Sequence, residues 1–185
     1  MTTATREAPS PRAGNRVFLV VLALAACFAL FPRLTRGCEQ SLASNEVAPD
    51  FAAKIVANPE TAEQKTLSLQ GLAGKPVLLD FWATWCGPCQ AELPVVNAIA
   101  QRFKERGLVV VGVNTSDEPG LAEVYSRRKK LTFPIVYDEA NAVARKYHVE
   151  NLPTLVLVSK EGKIVAVRHG ITSDADLDRL VRNAL

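Results

Sequence analysis

The chain has 185 residues, 48% of them apolar and 22% charged, with a formal net charge of +3. That balance excludes a disordered chain and suits one domain with one sizeable core. Four cysteines are too few for a disulfide scaffold, and only His148 and His169 could join them in a zinc site, so no metal or other cofactor is expected.

Residues 1–16 are polar, with Arg6, Arg12 and Arg16 against Glu7, and read as a cytoplasmic tail. Residues 17–31 then run without a charge. A basic stretch before an apolar stretch is an export signature, and the run lacks the polar stripe of a buried core helix. Three fates are open. An uncleaved helix, the preferred reading, would be about 22 Å long at roughly 1.5 Å per residue, against a ~30 Å hydrocarbon core. Snorkelling of Arg16 and Arg33 would close the gap. Leu24-Ala25-Ala26-Cys27 resembles a bacterial lipobox, which would make Cys27 a lipidated N-terminus. Ala23-Leu24-Ala25 offers a cleavage site that would release a soluble protein. The expected location is the bacterial inner membrane, with the body of the chain on the periplasmic side. Residues 32–46 read as a linker, with Cys38 an incidental thiol on the tether, and a domain spans 47–185.

In that domain, Ala53–Val56 and Thr66–Leu69 predict a strand pair. Val77–Trp82 is an apolar run broken only by Asp80, as in a central strand. Trp85–Cys89 predicts a turn. From Gln90 to Arg106, Leu93, Val96, Ile99, Ala100 and Phe103 share one helical face, and Gly107 ends it. Leu108–Val113 is a buried strand. A helix should start at Asp117 or Glu118 and run to Lys130. Its basic end, Arg127–Lys130, has no interleaved aromatic residue, so it reads as solvated and no nucleic-acid partner is expected. Then come a strand at Ile135–Tyr137, a short helix at Asn141–His148, a hairpin of Thr154–Val158 with Ile164–Arg168, and a helix to Leu185 capped by Ser173. Parallel strands joined by helices imply an α/β fold with helices on both faces of the sheet.

Cys86-Gly87-Pro88-Cys89 lies where the apolar strand ends and a helix begins, the setting of a redox-active CxxC. A helix N-terminus favours an anion, so the thiolate of Cys86 is stabilised and can attack a partner disulfide. Cys89, one turn inward, is expected to be more buried and to resolve the mixed disulfide. Pro88 sits at an early helical position, where a missing N–H costs little. His148 and His169 read as structural or surface residues.

The segment Asp80–Cys89 resembles the active-site segment of thioredoxin. Residues 47–185 resemble the TlpA/ResA-like membrane-anchored branch of that superfamily, on four further features: the N-terminal hairpin, an inserted helical segment around 114–148, the run Leu152-Pro153-Thr154, and the terminal hairpin and helix. The resemblance implies a thioredoxin-like fold, with a central mixed β-sheet, and a Cys86–Cys89 disulfide. Pro94 matches a proline inside the active-site helix. Pro153 matches a cis-proline facing the disulfide, which would free the backbone of Leu152 to pair with substrate. Asp80 matches the buried acid that handles the inner cysteine's proton, or is a paired structural acid. Many proteins of this branch carry asparagine there, so Asp80 leans toward thioredoxin proper. Glu92 matches an acid near the site, or is a solvated helical residue. Trp85 matches an exposed tryptophan beside the nucleophile, with Gly87 and Pro88 in the same substrate surface, or is rim packing. Trp82 reads as core.

The expected activity is therefore thiol:disulfide exchange outside the cytoplasm, in the reducing direction that Gly87-Pro88 resembles. The resemblance implies protein partners, apocytochrome c or copper-site proteins, an electron supply from a membrane dithiol transporter, and a monomer. Two alternatives stand. A thiol peroxidase would carry proline and threonine where Leu79 and Ala83 stand. A Sco-like copper-binding protein would place three residues between its cysteines, where this chain has two.

Overall fold

The computed structural model describes residues 44–61 and 63–185. The tail, the apolar segment, Cys27, Cys38 and most of the expected linker lie outside the described residues. Among the described residues no helix is long and apolar enough to cross a membrane.

Seven strands form one sheet. They are β1 (Ala52–Ala57), β2 (Thr66–Ser68), β3 (Val77–Trp82), β4 (Val109–Asn114), β5 (Ile135–Tyr137), β6 (Thr154–Val158) and β7 (Ile164–His169). The helices are α1 (Gly87–Phe103), α2 (Leu121–Lys129), α3 (Ala142–Lys146) and α4 (Asp174–Ala184). The strand order is β2-β1-β5-β4-β3-β6-β7. β3, β4 and β5 run parallel, joined by helices, while β1–β2, β1–β5, β3–β6 and β6–β7 pair antiparallel. The sheet is mixed, as the resemblance implied.

β3 is buried along its whole length. Alternation along a strand sends Leu78, Asp80 and Trp82 to one face and Val77, Leu79 and Phe81 to the other. The first face packs on Leu93, Val96, Ile99 and Phe103 of α1 and on Leu177 and Val181 of α4. The second packs on Phe51, Leu67 and Leu72, on Val143 of α3 and on Tyr147 at its end. Asp80 is thus the one polar residue that β3 turns toward the helix carrying the cysteines.

Asn45 N–H donates to the Ile164 carbonyl at 2.8 Å, and Ile164 N–H to the Glu46 carbonyl at 2.8 Å, so the end of the linker is already tied to β7. Helix α1 begins at Gly87 rather than Gln90, because Cys86 itself is the N-cap. Helix α2 begins at Leu121 rather than at 117 or 118. Pro119-Gly120 forms a turn there, with Gly120 at φ 88°. At the other end of α2, Arg128 and Lys129 lie over the Tyr125 ring at 5.6 and 5.7 Å, which accounts for part of the basic run. Ser173 caps α4, its hydroxyl accepting from Asp176 N–H at 3.2 Å.

Gly112 marks the tightest approach in the core. A Cβ there would meet Phe133 Cε2 and Trp82 Nε1 at 3.0 Å. Gly112→Ala is expected to lower stability by roughly 1–3 kcal/mol through overpacking. A urea titration checks this: the midpoint should fall at unchanged slope.

Candidate active site

Cys86 and Cys89 are joined by a disulfide, with Cα atoms 5.3 Å apart. Cys86 has extended backbone and caps α1, its sulfur accepting from Cys89 N–H at 3.2 Å. No acidic side chain lies in the first turn of α1, so nothing there opposes the helix N-terminus in favouring a thiolate. Gly87 and Pro88 are the exposed first residues of the helix. Pro94 lies within α1 as expected, and the Gln90 carbonyl loses its helical donor in consequence.

The two sulfurs differ in access. Cys86 is 4% exposed and Cys89 is fully buried. Cys86 opens on a groove of about 620 Å³, lined by Trp85, Gly87, Pro88, Asn141, Arg145 and Leu152 among others. The Leu152–Pro153 peptide is cis. Gly170 N–H donates to the Pro153 carbonyl at 2.9 Å. Thr154 spends its hydroxyl proton on the Asn151 carbonyl at 2.7 Å. His169 Nδ1, 3.0 Å from that hydroxyl, is then the donor. His169 thus helps hold the strand next to Pro153, a structural part.

Two carboxyls lie under the site. Asp80 is buried, and neither of its oxygens has a hydrogen-bond partner among the described residues. Burial pushes its pKa well above the usual carboxylate range, and the charge of Glu92 pushes it further. Glu92 is buried too, which removes the solvated alternative. Its Oε1 accepts from Thr172 N–H at 2.7 Å. Burial raises the pKa of Glu92, and the bonds from Thr172 partly offset this. Trp82 is core, as expected.

Residues 45–167 match the family model described as AhpC/TSA family. Over 162 residues the chain is 32% identical to thiol-disulfide oxidoreductase ResA of Oceanobacillus iheyensis, covering 88% of this chain and 81% of that one. It is 31% identical over 157 residues to ResA of Bacillus subtilis, covering 85% and 84%. The chain belongs to the AhpC/TSA family, among the ResA-like thiol-disulfide oxidoreductases.

Solved structures agree with the fold of this ResA-like chain. The thioredoxin domain of a thiol-disulfide oxidoreductase from Bacteroides vulgatus superposes with a TM-score of 0.67 at 27% identity, covering 78% of this chain and all of that one. StoA of Bacillus subtilis superposes at 0.60 with 28% identity, covering 73% and 98%. The protein is an enzyme of thiol–disulfide exchange on a thioredoxin-like fold.

Three contacts of the ResA-like site escape the sequence reading. Asp117, expected to start a helix, instead holds Thr84. Asn141, expected to start α3, holds Ser116. The Thr172 backbone holds Glu92. Pro119-Gly120 is the one sequence signal that could have moved Asp117 out of the helix. Nothing in the residue types announces the other two, because they depend on which loops meet.

Proposed function

We propose that this chain is a membrane-anchored oxidoreductase that reduces disulfides of other proteins outside the cytoplasm, with Cys86 attacking and Cys89 resolving. The observation that carries this is the unequal access of the two sulfurs at the start of α1: only Cys86 faces the groove. The step balances. The Cys86 thiolate attacks one sulfur of the partner disulfide and the other leaves as a thiolate that takes up a proton. Cys89, after losing its proton, attacks the Cys86 sulfur and releases the second partner thiol. Two electrons pass to the partner and the protein's disulfide forms.

The charge pattern of residues 1–31 supports the anchor and the export. Gly87-Pro88 supports the reducing direction. Apocytochrome c and copper-site proteins are the partner classes that the family resemblance suggests, with a membrane dithiol transporter as electron source. Equilibration with glutathione and dithiothreitol buffers tests the direction. A potential near ~ −270 mV, the thioredoxin value, is expected, and one near ~ −120 mV, the DsbA value, would make the protein an oxidant. A reporter fused after residue 40 should be active outside the cytoplasm, and activity only inside would refute the export.

A further inference from the structure

The loop between β4 and α2 grips the two residues that precede Cys86. Asp117 Oδ2 accepts from Thr84 N–H at 2.7 Å and Asp117 Oδ1 from the Thr84 hydroxyl at 2.8 Å. Asn114 Nδ2 donates to the same carboxylate at 2.7 Å. The indole N–H of Trp85 donates to the Ser116 carbonyl at 2.8 Å. Behind this loop stands Asn141, from the inserted segment. Its Oδ1 accepts from the Thr115 hydroxyl and from Ser116 N–H, both at 2.7 Å, and from the Ser116 hydroxyl at 3.2 Å. Ser116 lies at φ 58°, a left-handed conformation that serine adopts only under such restraint.

Trp85 is 64% exposed. A tryptophan so open would ordinarily sample several rotamers. Here a main-chain carbonyl holds its indole, and that carbonyl belongs to a residue that Asn141 holds in turn. Trp85 and Asn141 also both border the groove beside Cys86. A rigid aromatic surface binds a partner with less ordering cost than a mobile one.

We infer that Asp117 and Asn141 are positioning residues: through residues 114–117 they fix Trp85 as a pre-set docking wall for the protein substrate beside Cys86. This rests on the reading that the substrates are protein disulfides. The inserted segment thereby acquires a task in recognition, since it supplies part of the groove lining and the side chain that secures Trp85. Attack by Cys86 itself does not depend on the bracket, because the helix N-terminus that favours its thiolate is built within α1.

The test compares the full-length parent with Asn141→Ala, Asp117→Asn, Trp85→Ala and the Trp85→Ala/Asn141→Ala double variant. KM and kcat are measured for reduction of insulin, and a rate for the small disulfide 5,5′-dithiobis(2-nitrobenzoate). Asn141→Ala and Asp117→Asn should raise KM for insulin about threefold to tenfold, and Asp117→Asn, which does not line the groove, should keep kcat and the small-disulfide rate within about twofold of the parent. In the double variant, Asn141→Ala should add nothing to Trp85→Ala. Asn141→Asp, which keeps the acceptor oxygen, should restore KM. The chain has two tryptophans, so NMR can follow the Trp85 indole N–H apart from the buried Trp82. Its exchange with solvent should quicken about tenfold or more in Asn141→Ala. Parent-like KM and indole exchange in Asn141→Ala would overturn the inference. So would kcat and the small-disulfide rate of Asp117→Asn falling together with its thermal stability, the mark of a merely structural part. If the parent itself fails to reduce insulin, the protein-substrate reading fails, while the indole exchange still decides whether the bracket holds Trp85.

Discussion

Cys86→Ser loses disulfide exchange by on the order of 10³-fold or more, whereas Cys89→Ser keeps the first attack and stalls as a mixed disulfide. The difference follows from access and from place in the helix. Cys86 faces the groove and caps α1, where Cys89 N–H points at its sulfur from 3.2 Å. That bond becomes charge-assisted once the sulfur is a thiolate. Cys89 is fully buried behind it, so a partner disulfide cannot reach it. Serine at 86 removes the one cysteine sulfur among the described residues that faces the groove. Serine at 89 leaves that sulfur in place but removes the thiol that would release the partner. The two variants are therefore distinguished by product and not by rate alone. Non-reducing gels and mass spectrometry of cells carrying Cys89→Ser should show covalent adducts that dithiothreitol dissolves, and Cys86→Ser should show none. Adducts on Cys86→Ser alone would reverse the roles of the two cysteines. The captured proteins would also identify the substrates.

The parts of this molecule that announce themselves in the sequence are those fixed by local chemistry. Val77–Trp82 reads as a central strand because an unbroken apolar run of that length must be buried on both faces, and β3 is. The stripe of Leu93, Val96, Ile99 and Phe103 reads as a helix face because 3.6 residues make a turn, and those side chains do pack on the sheet. Asp80 stands out because a carboxyl in such a strand has nowhere polar to go. What escapes is decided by meetings between distant loops. Glu92 looks like any helical glutamate until Thr172, eighty residues later in the chain, is found donating to it. Asp117 looks like a helix start until the Pro119-Gly120 turn delays α2 and leaves the carboxylate free to take Thr84. Cys86 as the cap of α1 lies between the two cases. The turn and the helix were both legible, but their boundary depends on a backbone conformation that residue types do not specify.

Asp80→Asn is expected to act in two opposite directions, which is what separates a proton carrier from a structural acid. Resolution by Cys89 requires that a fully buried thiol lose its proton, and water has poor access there. Asp80, on the face of β3 that α1 covers, is the buried carboxyl without hydrogen-bond partners among the described residues, and its raised pKa makes it a stronger base than an exposed carboxylate. Its loss should slow release of the mixed disulfide by about 100-fold at pH 7, the lower end for general-base catalysis. Formation of the mixed disulfide by Cys86 should be unchanged. Stability should move the other way. The folded-state pKa of Asp80 lies above the unfolded value, so folding favours the protonated acid. Below an unfolded pKa of about 3.9 the acid is neutral in both states and costs little. As pH rises toward the folded pKa, the unfolded chain ionises first and stability falls, reaching its minimum once the buried carboxyl is also charged. The oxidised Asp80→Asn variant should therefore gain on the parent between pH 4 and pH 8 by on the order of 1–3 kcal/mol, since only the parent's unfolded chain is stabilised by ionising this carboxyl. Glu92 sharpens the effect, since its charge adds to that of Asp80, and removing one lets the other ionise more readily. Urea titrations of the oxidised proteins at the two pH values, with quenched-flow trapping of the mixed disulfide, check both halves. A more stable variant with an unaltered release rate would make Asp80 a structural acid.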